Sequence, residues 1–216
     1  MIGPTPGGLE AVVLGIDPGS RLCGWGIVGG AGPALHHIDN GVFVLGDEHV
    51  PLATRLDRLF TALEAIIHQH RPTMVAVEQV FVGHGNAQTA LALGHARGVA
   101  LLAAARAGLP VHSYTAQEVK KAVTGSGRAD KAQVQQMVSL RFSLPEVPQA
   151  DAADAVAVAL CHAQHATSGV PVVPRVPAKK RGRGALTAWV AAHDPTTKNS
   201  SPAALADANR RVPAKS

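Results

Sequence analysis

A chain of 216 residues with 46% apolar content suits one packed α/β domain and a tail. No apolar run approaches bilayer-spanning length, and the opening MIGPTPGGLE has neither a cationic start nor an apolar stretch, so a soluble, unexported, cytoplasmic protein without a membrane partner is expected. The formal charge of +5 points to an anionic partner, yet residues 168–216 alone carry a net +7 and residues 1–167 a net −2. An acidic body that binds nucleic acid must gather its cations locally or neutralise its acids with metal.

In chain order, residues 1–10 form an extension, and Ala11 to Asp17 is a short apolar run closed by Pro18-Gly19, hence a buried strand and a turn. Leu22 to Val28 and Gly41 to Leu45 read as two more strands; the short Gly-bearing connections predict an antiparallel meander. From Leu52 to Ile67 apolar residues recur at three and four, predicting an amphipathic helix that stops before Arg71-Pro72. Thr73 to Val77 is wholly apolar, as a strand buried on both faces would be. Asn86 to Ala107 predicts a helix on which Gly94 and Gly98, four apart, would let another backbone approach.

Pro110 to Tyr114 is a further buried strand, and helices are predicted over Ala116 to Val123, Ala129 to Phe142 and Gln149 to Gln164. The order βββαβαβααα implies a mixed five-stranded sheet with helices on both faces over residues 11–167. Residues 168–216, rich in Pro, Ala, Lys and Arg, read as a basic disordered tail, with Ala185 to Ala192 one short helix candidate. Cys23 and Cys161 lack metal-ligand spacing and are expected to be reduced core thiols.

Four acids occupy telling positions. Asp17 ends the first strand, Glu78 ends the TMVAV strand, and Asp151 and Asp154 stand three apart on the last helix, on one face. Singly, each has an ordinary explanation: a turn-former, a solvated strand end, and two first-turn aspartates favoured by the helix dipole. Together they would meet if the first and fourth strands are parallel neighbours, at the strand ends where open α/β sheets hold ligands. Four carboxylates so placed would repel one another unless divalent cations joined them, and oxygen-only ligands select Mg²⁺ or Mn²⁺.

The segments GIDPGSRLCGWGIV, VAVEQVF, ALALGHARGVA and PQADAADAVAVALCH resemble, in order and spacing, the signature blocks of the RuvC family of Holliday-junction resolvases over about residues 11–165. The resemblance implies an RNase H-like fold, a homodimer, and symmetric cutting of four-way junction DNA with Mg²⁺ or Mn²⁺. It places the family's metal-binding acids on Asp17, Glu78, Asp151 and Asp154. It further implies two ions per site, Asp17 bridging them, Glu78 and one helix aspartate serving single ions, and 5′-phosphate and 3′-hydroxyl products. Association with the RuvA and RuvB branch-migration proteins is implied in the same way.

For DNA contact, the body's cations gather at Lys120, Lys121, Arg128 and Lys131. By resemblance Lys120 and Lys131 match lysines tied to junction binding and activity; by themselves they read as solvated surface residues. Phe81, three residues after Glu78, matches a family aromatic that stacks on junction bases, or else caps the strand from the core side. The loop that follows departs from the family's commoner form by about one residue before Asn86, with His84 or Gly85 where a cation is often found. His162, eight residues past Asp154, lies too far along the helix to join the ligands. The Gly94/Gly98 face is either internal packing or, by resemblance, a dimer interface.

Two other classes compete. Sugar-kinase and actin-like ATPases share a GIDPGS-like phosphate motif but need a second lobe, for which the chain is too short. A module that binds branched DNA without cutting would use the basic tail and lysine cluster, with no need for the four acids.

Overall fold

The computed structural model describes residues 11–79 and 87–167. Five strands, β1 (Val12–Asp17), β2 (Leu22–Gly29), β3 (His36–Val44), β4 (Met74–Glu78) and β5 (Val111–Tyr114), form one sheet in the order β3-β2-β1-β4-β5. The first three make the antiparallel meander, while β4 runs parallel to both β1 and β5. The helices are α1 (Leu52–His70), α2 (Ala87–Arg106), α3 (Ala116–Thr124), α4 (Lys131–Phe142) and α5 (Ala150–Thr167). This is the predicted mixed sheet with helices on both faces, an RNase H-like α/β architecture.

Alternation along the strands sorts side chains into two cores. Leu14, Ile16, Ile27, Val75 and Val77 point toward Leu59, Leu63 and Ile66 of α1 and Ala96, Ala100 and Ala103 of α2. Val13, Val28, Ala76 and Tyr114 face α5, which α3 and α4 cover from outside. Enclosed on so many sides, α5 is buried continuously from Ala155 to Cys161, and its Ala/Val composition follows from that crowding.

Three boundaries differ from expectation. β3 begins at His36, five residues before the expected Gly41, and a 3-10 turn at Gly32–Ala34 precedes it. It is an edge strand, so a polar stretch such as His36 to Asn40 can still complete the ladder. α4 starts at Lys131 because Asp130 is its cap: Asp130 accepts from the Gln133 N–H, and Gln133 accepts from the Asp130 N–H. α5 continues to Thr167, past the expected Gln164.

The open helix face anticipated at Gly94 and Gly98 finds no neighbour here: a methyl on either would meet nothing within 4 Å. Close backbone approach occurs elsewhere, on the sheet. A Cβ on Gly15 would lie 2.1 Å from the Ala155 carbonyl oxygen, one on Gly24 1.9 Å from that of Asp151, and one on Gly26 2.9 Å from the Val156 Cα. Gly15 pairs with Gly26, and Gly24 with Asp17, so α5 rests on bare backbone of β1 and β2. No described helix is long and apolar enough to cross a membrane. Cys23 and Cys161 are both free and buried, as expected.

Candidate active site

The parallel pairing of β1 and β4 brings Ile16 opposite Val77, so Asp17 and Glu78 follow side by side at the same sheet end. Both lie on the α5 side, two residues beyond Gly15 and Ala76 respectively. The glycine seat then lays the first turns of α5 across this end, with Asp151 backbone directly on Gly24, the partner of Asp17. All four predicted acids are thereby half-buried at one mouth, and three of them act electrostatically on Asp17.

The electrostatics carry the mark of crowding. Burial first, then Glu78 and Asp154, push the Asp17 carboxyl up from 3.8 to about 7, with Lys131 pulling the other way. Glu78 is also raised, by burial and then Asp154, against Lys131 and Lys120. Lys131 Nζ donates to Asp154 Oδ2 at 3.1 Å, and that hydrogen bond and charge raise the lysine. The body therefore sets two ammonium groups, Lys131 bonded to Asp154 and Lys120 acting on Glu78, against four acids that call for more positive charge.

Among the described residues, no three His, Cys, Asp or Glu side chains form a ready-made metal cage. The donor set nevertheless fits a hard divalent cation: oxygen atoms only, gathered from two strand ends and one helix, with burial and mutual repulsion that a cation would relieve. Lys131 already occupies part of that role.

The predicted cations separate. Lys120 and Lys131 act on Glu78 and belong to the mouth. Lys121, its side chain one helical position on, lines a different hollow with Glu118, Gln164 and His165, near the far end of α5. Arg128 is exposed in the α3–α4 connection. Phe81 and the loop 82–86 lie outside the described residues, as does the tail.

Two features escaped the sequence reading. One is the glycine seat, whose signal is Gly at alternate positions of GID and GWG. The other is the set of contacts around His162, which as a structural histidine packs among Met74, His112 and Tyr114.

The strand order defines an α/β protein of RNase H-like fold, with acids gathered at one sheet end. The family model described as crossover junction endodeoxyribonuclease RuvC matches residues 13–162. The RuvC of Citrifermentans bemidjiense is 56% identical over 156 residues, 72% of this chain and 93% of that protein. That of Geobacter sulfurreducens is 54% identical over 154 residues, 71% and 93% of the two chains. A solved structure described as T. thermophilus RuvC in complex with Holliday junction substrate matches with a TM-score of 0.68 at 37% identity, covering 74% of this chain and 96% of that one. The chain belongs to the RuvC family of crossover junction endodeoxyribonucleases.

Proposed function

We infer that this chain cuts the strands of Holliday junctions at the mouth formed by Asp17, Glu78, Asp151 and Asp154. As a RuvC nuclease it is a DNA-binding hydrolase of recombination and repair, and RuvC nucleases depend on divalent metal. The observation that carries the site assignment is the crowding of four acids at one sheet end, where Asp17 is pushed up to about 7. A protein that only bound branched DNA would have no use for so unfavourable a cluster.

The proposed cofactor is Mg²⁺ or Mn²⁺, two per site, which Asp17, Glu78, Asp151 and Asp154 would hold. Bound there, the cations supply an activated water and neutralise charge building on the leaving 3′ oxygen. The chain's own part is placement. Asp17 and Glu78 end strands flanked by neighbours, so their carboxylates move little. Lys131, which donates to Asp154, would offer its ammonium to a phosphate oxygen and add charge stabilisation beside the scissile bond. Lys120 steadies the same phosphate from α3, while Lys121 and Arg128 meet backbone phosphates farther along an arm. Phe81 stacks on an opened base. The products are 5′-phosphate and 3′-hydroxyl ends.

Symmetric cutting requires two mouths, and the reading includes a homodimer through α2. Supporting it, Leu91 and Leu102 are 61% and 54% exposed and share a helix face with the open Gly94 and Gly98. Gly98→Arg is expected to shift sedimentation to the monomer and to leave unpaired nicks; a dimer with paired cuts would refute this face. Association with RuvA and RuvB and cytoplasmic action belong to the same reading.

The tail's net +7 and its lack of a candidate ligand assign it nonspecific affinity. Removing residues 170–216 is expected to flatten the salt dependence of junction binding, measured as log Kd against log salt; an unchanged slope would count against it.

The direct test of the whole reading is a synthetic four-way junction incubated with each metal and with none, with cuts mapped on all strands. Paired, symmetric, metal-dependent nicks are expected. Binding without cutting would favour the non-cleaving module.

A further inference from the structure

Tyr114 and His162 touch none of the four acids, yet they join the elements that carry them. Tyr114 ends β5 in register with Glu78, and its carbonyl accepts from the Gln79 N–H at 2.8 Å. Its hydroxyl crosses to His162 Nδ1 on α5, 2.6 Å away. His162 is 3% exposed, its ring stacked on His112 with centroids 4.3 Å apart and its Nε2 in close contact, 2.7 Å, with Met74 Sδ. One imidazole is thus gripped by residues of both β4 and β5.

The protonation states are consistent with a fixed geometry. Burial, with His112 and His165 adding to it, holds His162 down to about 4, so the ring is neutral, and burial raises the Tyr114 phenol, which keeps its proton. A neutral ring whose Nε2 meets a sulfur that has no proton carries its own hydrogen there, leaving Nδ1 to accept from the tyrosine.

Elsewhere α5 meets the sheet through Ala and Val on glycine backbone. Such apolar packing fixes the distance between layers but is non-directional, so it resists sliding along the helix axis only weakly. A buried hydrogen bond is directional. His162 lies eleven residues from Asp151, about three turns, which puts both on one line of the helix.

We propose that Tyr114 and His162 are positioning residues, whose hydrogen bond sets the axial register of α5 against β4 and β5 and so the placement of Asp151 and Asp154 relative to Glu78. This rests on the assignment of the four acids as metal ligands. The device acts through backbone that the helix and strands keep stiff.

The test uses the full chain and Tyr114→Phe, which removes only the hydroxyl. Mn²⁺ binding is measured without DNA, by calorimetry or by electron paramagnetic resonance, alongside thermal unfolding and junction binding in EDTA. The expected result is about tenfold weaker Mn²⁺ binding, of the order by which surroundings beyond the ligands themselves tune a metal site. Junction binding in EDTA should be unchanged, and nicking should recover at high Mn²⁺. A lowered unfolding midpoint with unchanged Mn²⁺ affinity would mean a purely structural contact and overturns the proposal. Glu78→Gln separates the two layers of the argument. If it leaves Mn²⁺ affinity intact, the ligand assignment fails and the positioning role falls with it. If it weakens Mn²⁺ binding while Tyr114→Phe matches wild type, the positioning role alone is refuted. Should Tyr114→Phe not fold, His162→Phe removes the other end of the same hydrogen bond, and unchanged Mn²⁺ affinity there overturns the proposal equally.

Discussion

Asp17→Asn is expected to abolish metal-dependent nicking, a loss of about 10³-fold or more, while making the metal-free protein more stable. The first half follows from its place between β2 and β4 at the centre of the acid mouth. The second follows from linkage. The folded-state carboxyl is raised from 3.8 to about 7, so between those pH values the native state holds a proton that the unfolded state releases. Stability from this group is therefore greatest below about pH 4 and declines as pH rises, the penalty being complete above about pH 7. Its ceiling is about 4 kcal/mol, at about 1.4 kcal/mol per pH unit. In EDTA the unfolding midpoint of Asp17→Asn should exceed that of wild type at pH 8 and approach it at pH 4. In saturating Mg²⁺ the order should reverse, because wild type gains more from the ion than a variant lacking one of its four acids. Nicking by purified Asp17→Asn at the wild-type rate, or an EDTA midpoint that falls below wild type at pH 8, would sink the assignment.

Gly15→Ala should be among the most damaging changes available to the chain, although it adds one methyl. The new carbon would sit 2.1 Å from the Ala155 carbonyl oxygen, 2.7 Å from the Ala159 nitrogen and 2.9 Å from the Ala159 Cβ. None of these atoms ends a flexible side chain, so α5 itself must lift from the sheet. Overpacking of well-filled cores costs about 1–3 kcal/mol where side chains can adjust. Here they cannot, and a loss of about 3 kcal/mol or more is expected by urea unfolding. Any protein that folds should also lose Mn²⁺ affinity, because the displaced helix carries Asp151 and Asp154. A Gly15→Ala protein with wild-type stability and metal binding would show that the helix does not rest on β1 backbone.

What the sequence discloses is what local pattern can encode. Apolar runs marked β1 and β4 at the site end, and the acids that close them were conspicuous because a run of Val and Ile ends on a charge. β3 was cut short because an edge strand asks little of its side chains, so His36 to Asn40 left no hydrophobic trace. The start of α4 was misplaced by two residues because Ala129 is a better helix former than its cap, Asp130. The lysine cluster was legible as a cluster but not as a surface. Adjacent helical residues point about 100° apart, so Lys120 reaches the acids while Lys121 faces Gln164 and His165. Tyr114 and His162 are 48 residues apart, and only the folded sheet makes them neighbours. The glycine seat was written in the sequence, yet alternate glycines acquire meaning only once strand pairing puts Gly15 beside Gly26 and Gly24 beside Asp17.

The burial of α5 also divides the molecule by its freedom to change. Between Ala155 and Cys161 every residue is enclosed, so inheritance can alter that helix only by swaps of nearly equal volume. Asp151 and Asp154 ride on the same helix just ahead of that stretch, while Asp17 and Glu78 end β1 and β4. The lysines sit instead on α3 and α4, short outer helices each started by its own capping box. On the proposed reading, descent could retune the grip on DNA through Lys120, Lys121 and Arg128, while Lys131, bonded to Asp154, stays tied to the acids.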